Sequence, residues 1–301
     1  MPVVKQFPVE KEFEKNPDIS PEDIRKLREW LKTQPHLPEE HITDLDLILV
    51  FFCCDKSAEV SKQVLDLHYT LKTHLTAFFQ NRVLDKKLIQ CMNSVLITPL
   101  PTFTVNGYKA MYCRLLDGDP KRYVFSDINR VFAMIFDLVQ YEEGTWPGFV
   151  ILIDMDLACI GHLGRVDLLL LRQVIYFLQE CMLLKLKEVH FLNAPYFMDK
   201  VISLLRPFTK KTLLDIIKVH ERESDSLYKY VQKSSLPKES GGCYKDNITL
   251  RDEMIRLLED NKRYFEEESR KRVNDSLRQN GKTNVEDLFG TQGSFKKLDI
   301  D

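Results

Sequence analysis

The sequence has almost no net charge of either sign. Its 301 residues carry 43 Lys and Arg against 45 Asp and Glu, a formal balance of -2. A dedicated nucleic-acid binder concentrates a basic excess on its phosphate-facing surface, so no nucleic-acid partner is expected. Long hydrophobic runs are missing too. The longest uncharged stretch runs from Leu88 to Tyr108 and holds Asn93, Pro99, Pro101, Asn106 and Gly107, so no bilayer span is expected. The opening residues lack the apolar segment and small-residue cleavage site of a secretory leader. Cysteine is present but unpaired in pattern: seven residues, an odd count, with no C-x-x-C. That usage suits a reducing, cytoplasmic setting and strips the sequons at Asn247 and Asn274 of meaning. The seven histidines are scattered without ligand spacing, so no metal is expected. No G-x-S-x-G and no phosphate-binding glycine loop occurs. What remains is an ordinary globular composition, 44% apolar and 29% charged.

The chain opens with helical signals. Ser20 can cap, Pro21 suits a first helical position, and Asp23 can close a capping box before Ile24, Leu27 and Leu31. Further helices are predicted over Asp44–Cys54 and Ser57–Phe79. Residues 1–95 therefore read as a small helical module. Two prolines in Ile97–Phe103 suggest a linker. Beyond it the period changes. Strands are predicted at Lys109–Leu115, Gly148–Met155 and Glu188–Asn193, with helices at Phe125–Tyr141 and Val166–Leu184 between them. Strand–helix alternation of this kind marks an α/β fold with a parallel sheet, here assigned to residues 96–248. Residues 249–301 form a charged extension. Its eight basic and eight acidic residues between Arg251 and Asn280 predict a solvated helix on the outside, and the tail from Gly290 reads as extended.

Three features carry candidate chemistry. Cys159 and Arg165 stand in the C-x5-R spacing of cysteine phosphatases, where backbone N–H groups and an arginine cradle phosphate beside a thiolate. Ala158 and Val166 stand where a histidine and a hydroxyl usually assist. The alternative is a small loop residue beside turn glycines. Second, apolar positions line up on several elements. Phe149, Ile151 and Ile153 alternate along a strand. Val174, Phe177, Leu178 and Met182 form one helical stripe, Phe191 follows, and Phe197, Val201, Leu204, Leu205 and Phe208 mark another helix. These stripes either mesh as a core or face one another across a lipid-sized cavity; the residues alone leave both open. Third, Lys185, Lys187, Arg206, Lys210, Lys211 and Lys218 surround that last helix, which suits either an interface with anionic lipid or an ordinary solvated face.

Four segments in order carry a resemblance: Tyr176–Lys187; Val189-His190-Phe191-Leu192-Asn193-Ala194-Pro195; Leu205-Arg206-Pro207-Phe208-Thr209-Lys210-Lys211; and Leu236-Pro237-Lys238-Glu239-Ser240-Gly241-Gly242. Together they resemble the CRAL-TRIO (Sec14-like) lipid-binding family, over about Ser20–Tyr244. Gly161-His162-Leu163 and the ending Gly293–Leu298 are similar to an insect branch related to α-tocopherol transfer proteins, clavesins and retinaldehyde-binding proteins. The C-x5-R string falls inside that branch's G-H-L loop.

The resemblance implies a helical module, a Sec14-like βαβ domain with a mobile gate helix at Asn193–Phe208, and a C-terminal helical extension. It implies a cavity for one hydrophobic molecule, lined by Val131, Met134, Leu138, Phe149, Ile151, Ile153, Val174, Phe177, Leu178, Met182, Val189, Phe191, Phe197, Val201, Leu205 and Phe208. Lys185 and Lys187 match positions that hold a phosphoinositide head; two further such positions hold Thr212 and Ile216, and the family's basic stretch appears as Leu49–Asp55 without arginines. The expected protein is a non-enzymatic, cofactor-free, monomeric carrier of a tocopherol, retinoid or carotenoid. It would be cytoplasmic and peripheral on membranes, where it unloads. A phospholipid cargo, or an adaptor recruiting partners through the Arg251–Asn280 helix, is the alternative.

Overall fold

The computed structural model describes residues 3–278. The tail from Gly290 and the stretch at 293–298 lie outside the described residues.

The helical module follows its caps. After α1 (Val9–Lys15), α2 (Pro21–Lys32) opens on a closed capping box: the Ser20 hydroxyl accepts the Asp23 N–H, and the Asp23 carboxylate accepts the Ser20 N–H at 3.0 Å. Ile24, Leu27 and Leu31 are buried on one face, each worth roughly 1.5–3 kcal/mol of apolar burial. Thr43 and Asp46 repeat the device at α3 (Asp44–Cys53). The long helix expected through Phe79 breaks at Leu75, giving α4 (Ala58–His74) and α5 (Thr76–Phe79). Then α6 (Lys86–Ser94), capped by Asp85, runs directly into the sheet.

The supposed linker is in fact an edge strand, β1 (Val95–Pro99), antiparallel to β2 (Lys109–Leu115). Proline is tolerated there because the strand lies at the sheet's rim and Pro99 ends it. The chain continues as α7 (Phe125–Glu143), β3 (Phe149–Asp154), α8 (Ile160–Leu163), α9 (Leu168–Glu180), β4 (Leu186–Leu192), α10 (Met198–Leu205), α11 (Lys211–Leu214) and β5 (Ile217–Val219). The five strands lie in chain order, with β2 to β5 all parallel, so the α/β class holds. Ile151 lies beside Val189, and Ile153 beside Phe191, on one sheet face. Val150, Leu152, Ala110 and Tyr112 face the other way and are covered by Leu227, Val231, Leu236 and Leu250.

The charged extension is neither a single helix nor peripheral. It forms α12 (Asn247–Asp260) and α13 (Lys262–Glu268), and Met254, Leu257, Leu258 and Phe265 enter the main core. Two of its charges, Glu268 and Lys271, are buried in pairs, while Arg256, Lys262, Arg263, Glu266, Glu267 and Arg270 are exposed as expected of a solvated face. Glu268 meets Lys72 and Lys271; Asp137 on α7 meets Arg82 and Lys72; Lys271 meets Asp46 on α3. Burial alone would raise the Glu268 carboxyl, but Lys271, Lys72 and Arg82 hold it well below the usual range. A charge count reads such residues as solvated because it cannot see their partners.

Candidate functional site

A cavity of about 380 Å³ lies between the sheet and the helices over it. Protein interiors pack with few voids larger than a water molecule, so this volume is built rather than accidental. Its floor is Ile151 and Ile153 on β3, Val189 and Phe191 on β4, Cys113 and Leu115 on β2, and Val95 and Ile97 on β1. Alternation along strands with both faces covered puts every second side chain into the space. One wall is α9, through Val174, Phe177 and Leu178, with Met182 just beyond it. The roof is α10 and its continuation. Phe197, Val201, Leu204 and Leu205 point inward, while Asp199, Lys200 and Arg206 are exposed on the opposite side.

The sequence-derived lining is thus brought together at Ile151, Ile153, Val174, Phe177, Leu178, Met182, Val189, Phe191, Phe197, Val201 and Leu205. It is corrected at five positions. Val131, Met134 and Leu138 lie on the far side of α7, in the core with Leu88, Met92, Met254 and Leu257. The face of α7 that meets the cavity is Phe125, Ile128, Asn129, Phe132 and Ala133. Because α7 is covered on both sides it carries two apolar stripes, and periodicity cannot say which one faces the space. Phe149, at the start of β3, is filled in by Phe136 and Trp146, with ring centroids 5.3 and 5.5 Å away. Phe208 is half-buried in the turn after α10 and does not reach the lining. Phe78 and Phe79 of α5, Tyr123 and His162 also line the cavity and were missed, although the spacing of Val95 with Ile97 could have added β1.

The roof is fastened at both ends. At its start, Asn193 adopts a left-handed backbone (φ 51°), a conformation asparagine tolerates, and donates to Asp154 at 2.7 Å. Asp154 also accepts from the Tyr112 hydroxyl (2.6 Å), Arg114 (2.7 Å) and the Ser240 hydroxyl (3.0 Å). Burial would raise its carboxyl, but Tyr112, Asn193 and Arg114 hold it below the usual range. Two of the sequence motifs, at Asn193 and Ser240, therefore converge on one carboxylate. At the other end, Gln179 of α9 donates to the Phe208 carbonyl (3.1 Å) and accepts the Lys210 N–H (2.7 Å).

The basic residues are largely engaged. Lys185 pairs with Asp55 at 2.6 Å and lies over the Phe52 ring. Lys218 pairs with Glu188, Lys210 with Glu180, and Lys211 with Asp215. Lys187 and Arg206 are exposed. In and just after the C-x5-R loop, several donors an anion would need are already used. The N–H groups of His162, Arg165 and Val166 are already bonded to the carbonyls of Cys159, His162 and Leu163. Among the described residues no cluster could hold a metal ion, and no helix is long and apolar enough to cross a membrane.

Comparison with known proteins places the chain among relatives. The CRAL/TRIO domain profile matches residues 89–242, and a Pinta-like UBA domain profile matches residues 16–89. Human clavesin-2 is 24% identical over 234 residues, covering 77% of this chain and 71% of its own. Mouse clavesin-1 is 26% identical over 237 residues, covering 77% and 66%. A mouse protein described as α-tocopherol transfer protein-like is 23% identical over 232 residues, covering 77% and 67%. Among solved structures, Sfh5 is similar with a TM-score of 0.44 at 14% identity, covering 80% of this chain and 90% of that one. With more than half its length matched by the profile and its sheet enclosing an apolar cavity, the chain belongs to the CRAL/TRIO domain family.

Proposed function

We propose that this chain is a carrier that holds one lipophilic molecule in the cavity and releases it at a membrane surface when the segment from Asn193 to Phe208 moves aside. The carrying observation is the apolar cavity of about 380 Å³, within the size of small-molecule sites. A tocopherol-, retinoid- or carotenoid-class guest burying roughly 400 Å2 would gain about 10 kcal/mol before ordering costs. Such a gain makes spontaneous release slow, which favours unloading by movement of the roof. The exposed Lys187 and Arg206 supply charge toward anionic headgroups. The reading needs no catalytic group.

Mass spectrometry of an organic-solvent extract of the purified protein tests it. A lipid recovered near one per chain is expected. An empty extract, together with failure to take up any lipid offered in vesicles, refutes it.

An adaptor role has one specific support, the match of residues 16–89 to a UBA-type domain. Its contact surface would lie on that module, because α12 and α13 bury their apolar sides in the core.

A further inference from the structure

A second, smaller space of about 40 Å³ lies where α3, α4, α7 and α13 meet. Phe79 and Phe177 line both it and the cargo cavity, and their rings, with centroids 4.9 Å apart, form a shared wall. Unlike the cavity, this chamber is polar on one side. Tyr69, His68 and Lys72 of α4 line it and are buried, at 1%, 7% and 4% exposure. Lys72 has three N–H groups, of which Asp137 and Glu268 engage two. His68 Nδ1 lies 2.8 Å from the Cys181 carbonyl. A carbonyl can only accept, so Nδ1 carries the hydrogen and Nε2 presents a lone pair. Burial pushes this imidazole down to about 4, so it is neutral near pH 7. Neither the Tyr69 hydroxyl nor His68 Nε2 has a hydrogen-bond partner among the described residues. Packing does not seal them off either: the unpartnered atoms sealed in that way are His36 Nδ1, Arg82 Nε, His162 Nε2 and Asn247 Oδ1. Both groups therefore open onto the space they line. The surrounding charges are matched, with Lys72, Lys271 and Arg82 against Asp46, Asp137 and Glu268, so nothing there calls for an ion.

We propose that the chamber is a water site. One buried water needs roughly 10–15 Å³ and a few polar partners, so about three fit. Water there accepts the third Lys72 N–H and the Tyr69 O–H and donates to His68 Nε2. That completes the hydrogen bonding where the helical module, the sheet domain and the C-terminal extension join. A dry chamber would leave three buried polar groups unmet, each at its full desolvation cost. The Phe79–Phe177 wall keeps this water out of the cargo cavity. The inference goes beyond the carrier reading and stands without it.

Crystals of the full chain under xenon pressure test the assignment, because xenon enters dry apolar cavities. Ordered water is expected within about 3.2 Å of the Tyr69 hydroxyl and of Lys72 Nζ, with no xenon in the chamber. Xenon in the chamber, or a chamber without water, overturns the proposal and leaves the carrier reading intact. Tyr69→Phe, which removes a single oxygen, gives an independent sign. Losing a hydroxyl bonded to water should lower the melting temperature by about 2–4 °C. An unchanged or higher melting temperature means that the hydroxyl had no partner, and it also overturns the proposal.

Discussion

Replacing Gln179 with alanine should speed the release of cargo. Gln179 holds the turn after the roof helix from both sides, donating to the Phe208 carbonyl and accepting the Lys210 N–H. Each bond has a net worth of about 0.5–1.5 kcal/mol, so together they favour the closed position by about 1–3 kcal/mol. At about 1.4 kcal/mol per tenfold, the open population should rise between about fivefold and 150-fold. The Lys210–Glu180 pair survives the change but is largely exposed on the lysine side and contributes little. The assay is stopped-flow transfer of retinol from the loaded protein to vesicles carrying a quencher. An increase of about tenfold in the release rate is expected, with equilibrium affinity falling by a similar factor at most. A rate within twofold of wild type, in a variant that still folds and loads, would show that the Gln179 bonds do not govern opening.

Three further outcomes are expected. Lys72→Met should lower stability in urea by about 1.5–3 kcal/mol, since Glu268 and Asp137 each lose one of two cations and keep Lys271 and Arg82; a loss under about 0.5 kcal/mol would mean the Lys72 pairs are not formed in solution. Stability should fall as pH drops from about 6.5 to 4: burial pushes the His68 imidazole down to about 4, so the unfolded chain binds more protons across that window, at a cost on the order of 3 kcal/mol. His68→Asn, which can keep the bond to the Cys181 carbonyl, should flatten that part of the profile, and an unchanged slope would rule His68 out. Ala158→Leu, directed into the cavity, should reduce lipid loading several-fold while the melting temperature holds or rises; full loading would mean the guest lies elsewhere.

Much of the scaffold could be read from residues. Ser20 with Asp23 located the first helix because a capping box is a local signal, and the spacing of Ile151 with Ile153 gave strand faces because alternation survives burial. The cavity was legible only through resemblance. Apolar stripes look the same whether they mesh or stand apart, and α7, apolar on two sides, misled the reading toward Val131, Met134 and Leu138. The buried charges of α13 were illegible for a different reason. Glu268 finds one of its two partners almost two hundred residues away, at Lys72, and no local pattern registers that.

The sheet's two rims also matter for how such a protein survives in solution. On one side β5 is three residues long; on the other β1 ends at proline and has α12 packed on it. Neither offers a long open row of backbone donors and acceptors on which a second copy could template. On the carrier reading, a roof that opened would uncover apolar side chains without also uncovering a ribbon of backbone that invites stacking.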